Sequence, residues 1–285
     1  MKRTALRLVV LGHALGLCAV AWAQELPGLE DSSRLLQGFS PEVSLYYSRS
    51  VADESTSEFS HYTGALLGLG YAVTPTLGLK ASLSIDRALG APIERFAASN
   101  TSLSATRSYA LPSVGTLAPS LFVKLATNQD DVRFLSYEGS LGAGLALSNL
   151  KVFTFGQHHA LGGVFGLSAA RNLYEYDANL AGGLSRLWTF GWIASLRYTF
   201  YERLTLGLDL KDTLAWFSAG KRDSERYELA GSIGFKATDE LFLTLATVTA
   251  DRTFQYDQVT WNVSLYRTER TMFVFSIAYL PKFKS

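Results

Sequence analysis

A strict alternation of apolar and polar residues constrains this chain more than any other feature. Successive side chains of an extended strand point to opposite faces, so a period of two predicts a strand with one apolar and one polar face. The pattern recurs in residues 135–148, 188–200, 204–211 and 259–266. In residues 77–86 the apolar face is Leu77, Leu79, Ala81, Leu83 and Ile85, and the polar face is Gly78, Lys80, Ser82, Ser84 and Asp86.

The polar faces are built mostly from Gly, Ser, Ala and Thr rather than from long charged residues. A soluble β-sandwich or a lipocalin-like barrel would turn these faces to open water, whereas small residues are expected where facing strands crowd a lumen. Many candidate strands also have ten or more residues, which matches the roughly 9–11 tilted residues that cross a bilayer and exceeds the roughly 5–6 usual in soluble sheets. A transmembrane β-barrel is therefore favoured over the soluble alternative.

Thirteen segments carry the strand pattern, but a barrel with both ends on one side of a membrane needs an even number. We predict an all-β, antiparallel up-and-down barrel of about twelve strands, with fourteen as the alternative. The segment 172–181 is the weakest candidate, because residues 171–177 carry three charges. The polar stretches 89–113 and 219–226 are predicted to be extracellular loops. The thirteen candidates are residues 42–50, 60–73, 77–88, 113–126, 132–148, 158–170, 172–181, 187–200, 204–217, 225–238, 241–252, 258–267 and 271–281.

The first residues have the pattern of an export signal. Lys2, Arg3 and Arg7 precede an apolar run at residues 8–20. The small residues of Ala21-Trp22-Ala23 follow this run. This predicts a cleaved signal peptide at 1–23, a short periplasmic segment at 24–40 and a barrel at 41–285. The only cysteine, Cys18, lies in the signal, so the mature chain is predicted to have neither disulfides nor thiolate chemistry.

Short turns and the last strand complete the pattern. Residues 71–77, 198–204 and 235–241 each read as an aromatic, a tight polar turn and a Leu-x-Leu strand or a close variant. Phe273, Phe275, Ile277 and Tyr279 share one face of the final strand. Together these features resemble the porin-like outer-membrane β-barrel proteins over almost all of the mature chain. The resemblance implies a bacterial outer membrane, its lipids and the barrel-assembly machinery as surroundings and partners, with the short turns in the periplasm.

Charged side chains that the alternation points inward are the candidate functional residues. They can pair across the lumen and stiffen the wall, since unpaired buried charge is costly. They can equally form a polar constriction that screens solutes by size and charge. A net charge of +1 predicts weak charge selectivity and argues against a nucleic-acid partner. The predicted lumen-lining residues are Lys80, Asp86, Lys124, Glu138, Arg197, Asp209, Lys211, Glu228 and Lys236.

Three groups of residues carry side chains suited to catalysis or metal binding, and none of them predicts a catalytic, cofactor or metal site. Ser60-His61 lacks the accompanying motif of an outer-membrane serine hydrolase. His158-His159 begins a strand and lacks a nearby third metal ligand. Asp130-Asp131 falls in a predicted periplasmic turn at Asn128, the wrong side for an outer-membrane protease.

The sequence thus predicts an outer-membrane channel that passes small hydrophilic solutes passively and without a cofactor. A non-conducting barrel that serves as a scaffold or partner in an envelope complex is the alternative. A lipid-modifying enzyme is a more distant one. The identity of the solute and a homo-oligomeric state stay open at this point.

Overall fold

A computed structural model describes residues 39–52, 60–89, 96–112, 114–155, 159–178, 183–217, 220, 222–223, 225–253, 262–264 and 266–281. The predicted signal peptide, nearly all of the segment 24–40, and His158 lie outside these residues. The strands are β1 (Phe39–Ser50), β2 (His61–Thr74), β3 (Leu77–Leu89), β4 (Phe96–Ala98), β5 (Thr101–Arg107), β6 (Tyr109–Leu111), β7 (Gly115–Leu125), β8 (Tyr137–Phe155), β9 (His159–Tyr174), β10 (Arg186–Phe200), β11 (Leu204–Phe217), β12 (Arg226–Lys236), β13 (Leu241–Arg252) and β14 (Thr271–Tyr279); the helix α1 is Gln129–Leu135.

Twelve of these strands form a closed antiparallel ring. Its order is β1, β2, β3, β5, β7 and then β8 to β14, and β14 returns to pair with β1. The short β4 pairs with β3 beyond one end of β5, and the short β6 pairs with β7 beyond the other end of β5. Strands β4, β5 and β6 are therefore three pieces of one path across the wall. The predicted fold class, a transmembrane-type barrel of about twelve strands, is confirmed.

The ring differs from the thirteen candidates in three places: one further strand is present and two candidates do not form strands of their own, which leaves twelve. Residues 96–111, predicted as part of a loop, cross the wall as β4 to β6. The candidate 172–181 supplies only the end of β9, and residues 262–264 and 266–267 of the candidate 258–267 are not strand. The alternation of β4 to β6 was missed because it is interrupted at 99–100 and at 108, which leaves pieces of three to seven residues.

Helix α1 corrects the interpretation of Asp130-Asp131 as a periplasmic turn. The Asn128 side chain accepts hydrogen bonds from the backbone N–H groups of Asp130 and Asp131 and caps the helix. Overlooking the strand at 96–111 reversed the direction assigned to the chain, so this segment lies at the opposite end of the barrel from the predicted one. No helix in the ranges given above is long and apolar enough to cross a membrane.

The two ends of the barrel differ in their connections. At one end, here called the turn end, neighbouring barrel strands are joined by two to four residues, and β1 begins and β14 ends there. At the other, the loop end, connections of six to eighteen residues join them. In outer-membrane barrels the short turns are periplasmic and the long loops extracellular. The predicted turns at 71–77, 198–204 and 235–241 all lie at the turn end.

The alternation places apolar side chains on the outside and small or polar ones on the inside. In β1 the exposed and buried residues alternate through most of the strand, so Val43, Leu45 and Tyr47 face outward while Ser44 and Tyr46 face inward. An outer band of apolar side chains is exposed on the surface of the ring and matches a hydrocarbon surround. Its members include Leu69, Leu79, Leu121, Leu141, Phe165, Leu196, Leu208, Ile233, Leu245 and Phe275.

Candidate functional site: the charged lumen

The inner face of the ring is lined mainly by small residues. Neighbouring inward positions of β8 and β9, such as Gly142 and Ala170 or Gly144 and Ser168, face each other in the sheet. A buried apolar cluster is also made of small side chains: Ala230, Ala246, Val248 and Val274. Side chains fill an eight-stranded barrel, whereas a ring of twelve strands is wider. Small inward residues therefore leave room for a lumen.

One charged row follows β10 and β11. The Arg197 Nη2 lies 2.6 Å from Asp209 Oδ1, and the Ser195 hydroxyl donates to the same oxygen over 2.6 Å. Gly207 stands opposite Arg197 in the sheet, and a Cβ there would come within 2.8 Å of the guanidinium. The glycine makes space for the arginine, so the ion pair is built into the wall.

The row continues on β12 and reaches across the barrel to β7. Lys211 lies opposite Glu228 in the sheet, and their charges attract each other. Lys124 of β7 is repelled by Lys211 and attracted by Asp131 of α1. Predicted lumen residues of β7, β10, β11 and β12 thus interact electrostatically with one another.

A second ion pair joins β1 and β3 close to the turn end of these strands. Lys80 Nζ donates to Glu42 Oε2 over 2.8 Å, across Gly68 of the strand between them. Glu42 was missed among the predicted lumen residues. The alternation of the candidate strand 42–50 carried the signal, because it places Glu42 on the same face as Ser44 and Tyr46.

Asp86 stands apart from both pairs. It lies on β3 with 4% of its surface exposed, and its Oδ1 has no hydrogen-bond partner. The phenol of Tyr46 and the carboxylate of Asp86 both lie over Gly64 of the strand between them. Asp86 is thus a buried carboxylate at the loop end of the lumen.

Glu138 and Lys236 do not join these groups. A bulge at Gly139 leaves Glu138 without a cross-strand partner, and its side chain is exposed between the buried Tyr137 and Ser140. Because the bulge interrupts the alternation, the inward position predicted for Glu138 does not follow from the strand pattern at this point. Lys236 ends β12 and pairs with Asp239 at 2.8 Å, so it belongs to the rim of the turn end.

The histidines that could support catalysis or metal binding lie at the two ends of the barrel. His61 begins β2 at the loop end. His159 begins β9 at the turn end, where its Nδ1 lies 2.6 Å from the Tyr198 hydroxyl and its ring contacts Phe200. In the part of the chain that the structure describes, no three His, Cys, Asp or Glu residues form a group that could hold a metal ion.

Asp131 links α1 to the broken strand. Asn100, in the gap between β4 and β5, donates through its Nδ2 to Asp131 Oδ2 over 2.6 Å and accepts from the Asn128 backbone N–H. Burial raises the pKa of Asp131, and the Asp130 charge acts in the same direction. The Asn100 hydrogen bond and the Lys124 charge oppose this shift.

No protein-family model matches this chain, and no curated protein is similar to it in sequence. Its structure is similar to the COG4313 outer membrane channel from Pseudomonas putida F1, with a TM-score of 0.56 and 14% identity over 88% of this chain and 100% of that one. It is also similar to the NanC porin, with a TM-score of 0.54 and 13% identity over 84% of this chain and 98% of that one. At such identities the likeness concerns the fold. In fold, the chain is a closed antiparallel barrel of twelve strands similar to these outer-membrane channels.

Proposed function

We propose that this protein is an outer-membrane channel through which small hydrophilic solutes pass passively. The observation that carries the proposal is the inner face of the ring: twelve strands close around small and polar side chains rather than around a packed core of large apolar ones. A barrel serving only as a scaffold has no need of such an inner face.

The charges along the lumen suggest how solutes are screened. Arg197 and Asp209 form one pair of opposite sign and Lys80 and Glu42 another, so each lies close to a compensating charge. A solute in such a passage meets donors and acceptors that replace part of its hydration, while the neighbouring opposite charges prevent a strong preference for either sign. Size and polarity then decide passage, and the concentration gradient supplies the driving force.

Swelling of proteoliposomes in sugar solutions tests this function. Vesicles that contain the folded protein are expected to swell in small uncharged sugars, and the rate is expected to fall as the sugar becomes larger. Vesicles without protein set the baseline. Correctly folded protein that produces no swelling above this baseline would overturn the channel and favour the scaffold.

Two single-cysteine variants show whether solutes cross the lumen. Ser104 and Leu103 are neighbours on β5; Ser104 shares the inward face of Lys80, and Leu103 is exposed on the outer face. The mature chain predicted above has no other cysteine. A bulky hydrophilic thiol reagent is expected to slow swelling for Ser104→Cys and to leave Leu103→Cys unaffected. Equal effects on both would contradict passage through the lumen.

A further inference from the structure

Four buried polar atoms without hydrogen-bond partners lie on two inward faces at the loop end of the lumen. They are the Tyr46 Oη and Ser48 Oγ of β1 and the Ser84 Oγ and Asp86 Oδ1 of β3. The four residues are 3%, 0%, 4% and 4% exposed, in that order. Buried polar groups are nearly always hydrogen-bonded in folded proteins, so four exceptions in one region require an explanation.

Gly64 of β2 brings two of these groups together. In the sheet, Gly64 lies opposite Tyr46 on one side and Asp86 on the other. The point where a Cβ of residue 64 would stand is 2.6 Å from Tyr46 Oη and 2.7 Å from Asp86 Oδ1. The phenol and the carboxylate therefore meet over the glycine without bonding to each other. Ser48 is the next inward residue of β1 toward the loop end, and Ser84 is the next inward residue of β3 toward the turn end, so the two serines flank this pair on opposite sides.

Among the residues that the structure describes, no ion pair is formed by Asp86. Lys80, the inward cation of the same strand, is six residues away and is bound to Glu42. The residues opposite Asp86 in the neighbouring strands are Gly64 and Ala97, which carry no charge. A buried carboxylate without a cation is costly, and one along a solute pathway can gain its counter-charge from the solute.

We propose that the cluster of Tyr46 and Asp86 over Gly64, flanked by Ser48 and Ser84, binds the ammonium group of cationic organic solutes. An ammonium group only donates hydrogen bonds, and the carboxylate of Asp86 and the phenol oxygen of Tyr46 can both accept them. The flanking hydroxyls of Ser48 and Ser84 can accept hydrogen bonds from other donors of the same solute. The buried rings of Tyr46 and Tyr62 add aromatic surface, which attracts cations. A bare calcium or magnesium ion is disfavoured, because these ions take six or more oxygen ligands and the cluster contains one carboxylate. The proposal rests on the channel function, since it names a class of solute.

Binding to the folded protein in detergent, measured by titration calorimetry, tests the cluster independently of conductance. The probe is propylammonium chloride, and propanol is its neutral counterpart of similar size. The wild type is expected to bind propylammonium saturably and propanol not at all. Asp86→Asn is expected to weaken binding by about tenfold or more, because the ammonium group then meets a neutral acceptor in place of a negatively charged one.

Two further variants keep the test sharp. Gly64→Ala places a methyl group between the phenol and the carboxylate and is expected to weaken binding while leaving the charge in place. Glu138→Gln removes a carboxylate from the exposed bulge and is expected to bind as the wild type does. The difference in migration between heated and unheated samples in gels shows that each variant is folded.

The outcomes separate this site from the channel. Failure of the wild type to bind propylammonium overturns the site, and so does binding that survives both Asp86→Asn and Gly64→Ala. Calcium binding that depends on Asp86, without propylammonium binding, also overturns it in favour of a metal site. Liposome swelling without propylammonium binding refutes the site but not the channel, whereas propylammonium binding without swelling refutes the channel.

Discussion

The two sides of the lumen handle buried charge differently. On β10 and β11, the Asp209 carboxylate meets the guanidinium of Arg197 and the hydroxyl of Ser195, both at 2.6 Å. On β3, the Asp86 carboxylate is buried to a similar degree, yet its Oδ1 has no partner. Both strands belong to the same ring and carry their aspartate on the inner face. Burial in this barrel therefore does not by itself dictate that a charge is compensated.

The difference separates charges that hold the wall from charges that are open to a solute. A carboxylate bound to a fixed cation contributes to stability and to a permanent local field. A carboxylate without one is costly until something else supplies the cation. Asp131 is an intermediate case, because its hydrogen-bond partner is the neutral side chain of Asn100.

The largest expected effect concerns the wall that carries both sides. Leu208 is exposed on the outer face next to the inward Asp209. Leu208→Arg puts a charge into hydrocarbon and is expected to cost about 2–4 kcal/mol near the bilayer midplane. Urea unfolding in lipid vesicles, followed by gel migration, measures the loss. Thr205→Arg, from an inward position of β11, is the control and should be much better tolerated. Equal losses would mean that the inner and outer faces are assigned wrongly.

The second largest expected effect tests the difference between Asp209 and Asp86 directly. Asp209→Asn leaves the partly buried guanidinium of Arg197 without its counter-charge and is expected to destabilise the barrel by about 1–3 kcal/mol, less than in a dry core because the lumen admits water. Asp86→Asn breaks no ion pair and is expected to leave stability unchanged or slightly raised. The same urea titration compares the two variants. A loss for Asp86→Asn as large as that for Asp209→Asn would show that Asp86 has a stabilising partner after all.

The smallest effect concerns pH at α1. Because the pKa of Asp131 is raised in the folded protein, its contribution favours the docked helix below the usual value of 3.8 and is lost as the pH rises through the raised pKa. Amide hydrogen exchange in residues 129–135, corrected for intrinsic rates, is expected to show better protection at acidic pH. In Asp131→Asn this dependence should disappear. Protection that instead improves as the pH rises would contradict the assigned burial of Asp131.

The alternation predicted the barrel and the faces of its regular strands, because a period of two depends only on neighbouring residues. It failed where the structure depends on pairing. The position of Glu138 follows from a bulge opposite Leu173 and Tyr174, which no local pattern reveals. The break near Ser99 is held by cross-strand bonds, including one from the Ser84 N–H to the Ser99 hydroxyl.

The partnerships of the lumen charges were equally out of reach of the sequence. Glu42 and Lys80 are 38 residues apart, and the alternation gives their face but not their contact. Nothing in the sequence distinguishes the compensated Asp209 from the uncompensated Asp86. Both lie on the polar face of an alternating strand, and only the placement of Arg197 beside one of them separates the two.

The reversal potential in a planar bilayer under a potassium chloride gradient tests the central claim most directly. The wild type is expected to conduct with weak ion preference. Arg197→Glu turns a compensated pair into two adjacent negative charges and is expected to shift the preference toward cations. Leu196→Gln, on the outer face of the same strand, should leave the potential unchanged. Folded wild-type protein that does not conduct, or a potential that Arg197→Glu does not move, would contradict a channel whose lumen charges act on passing solutes.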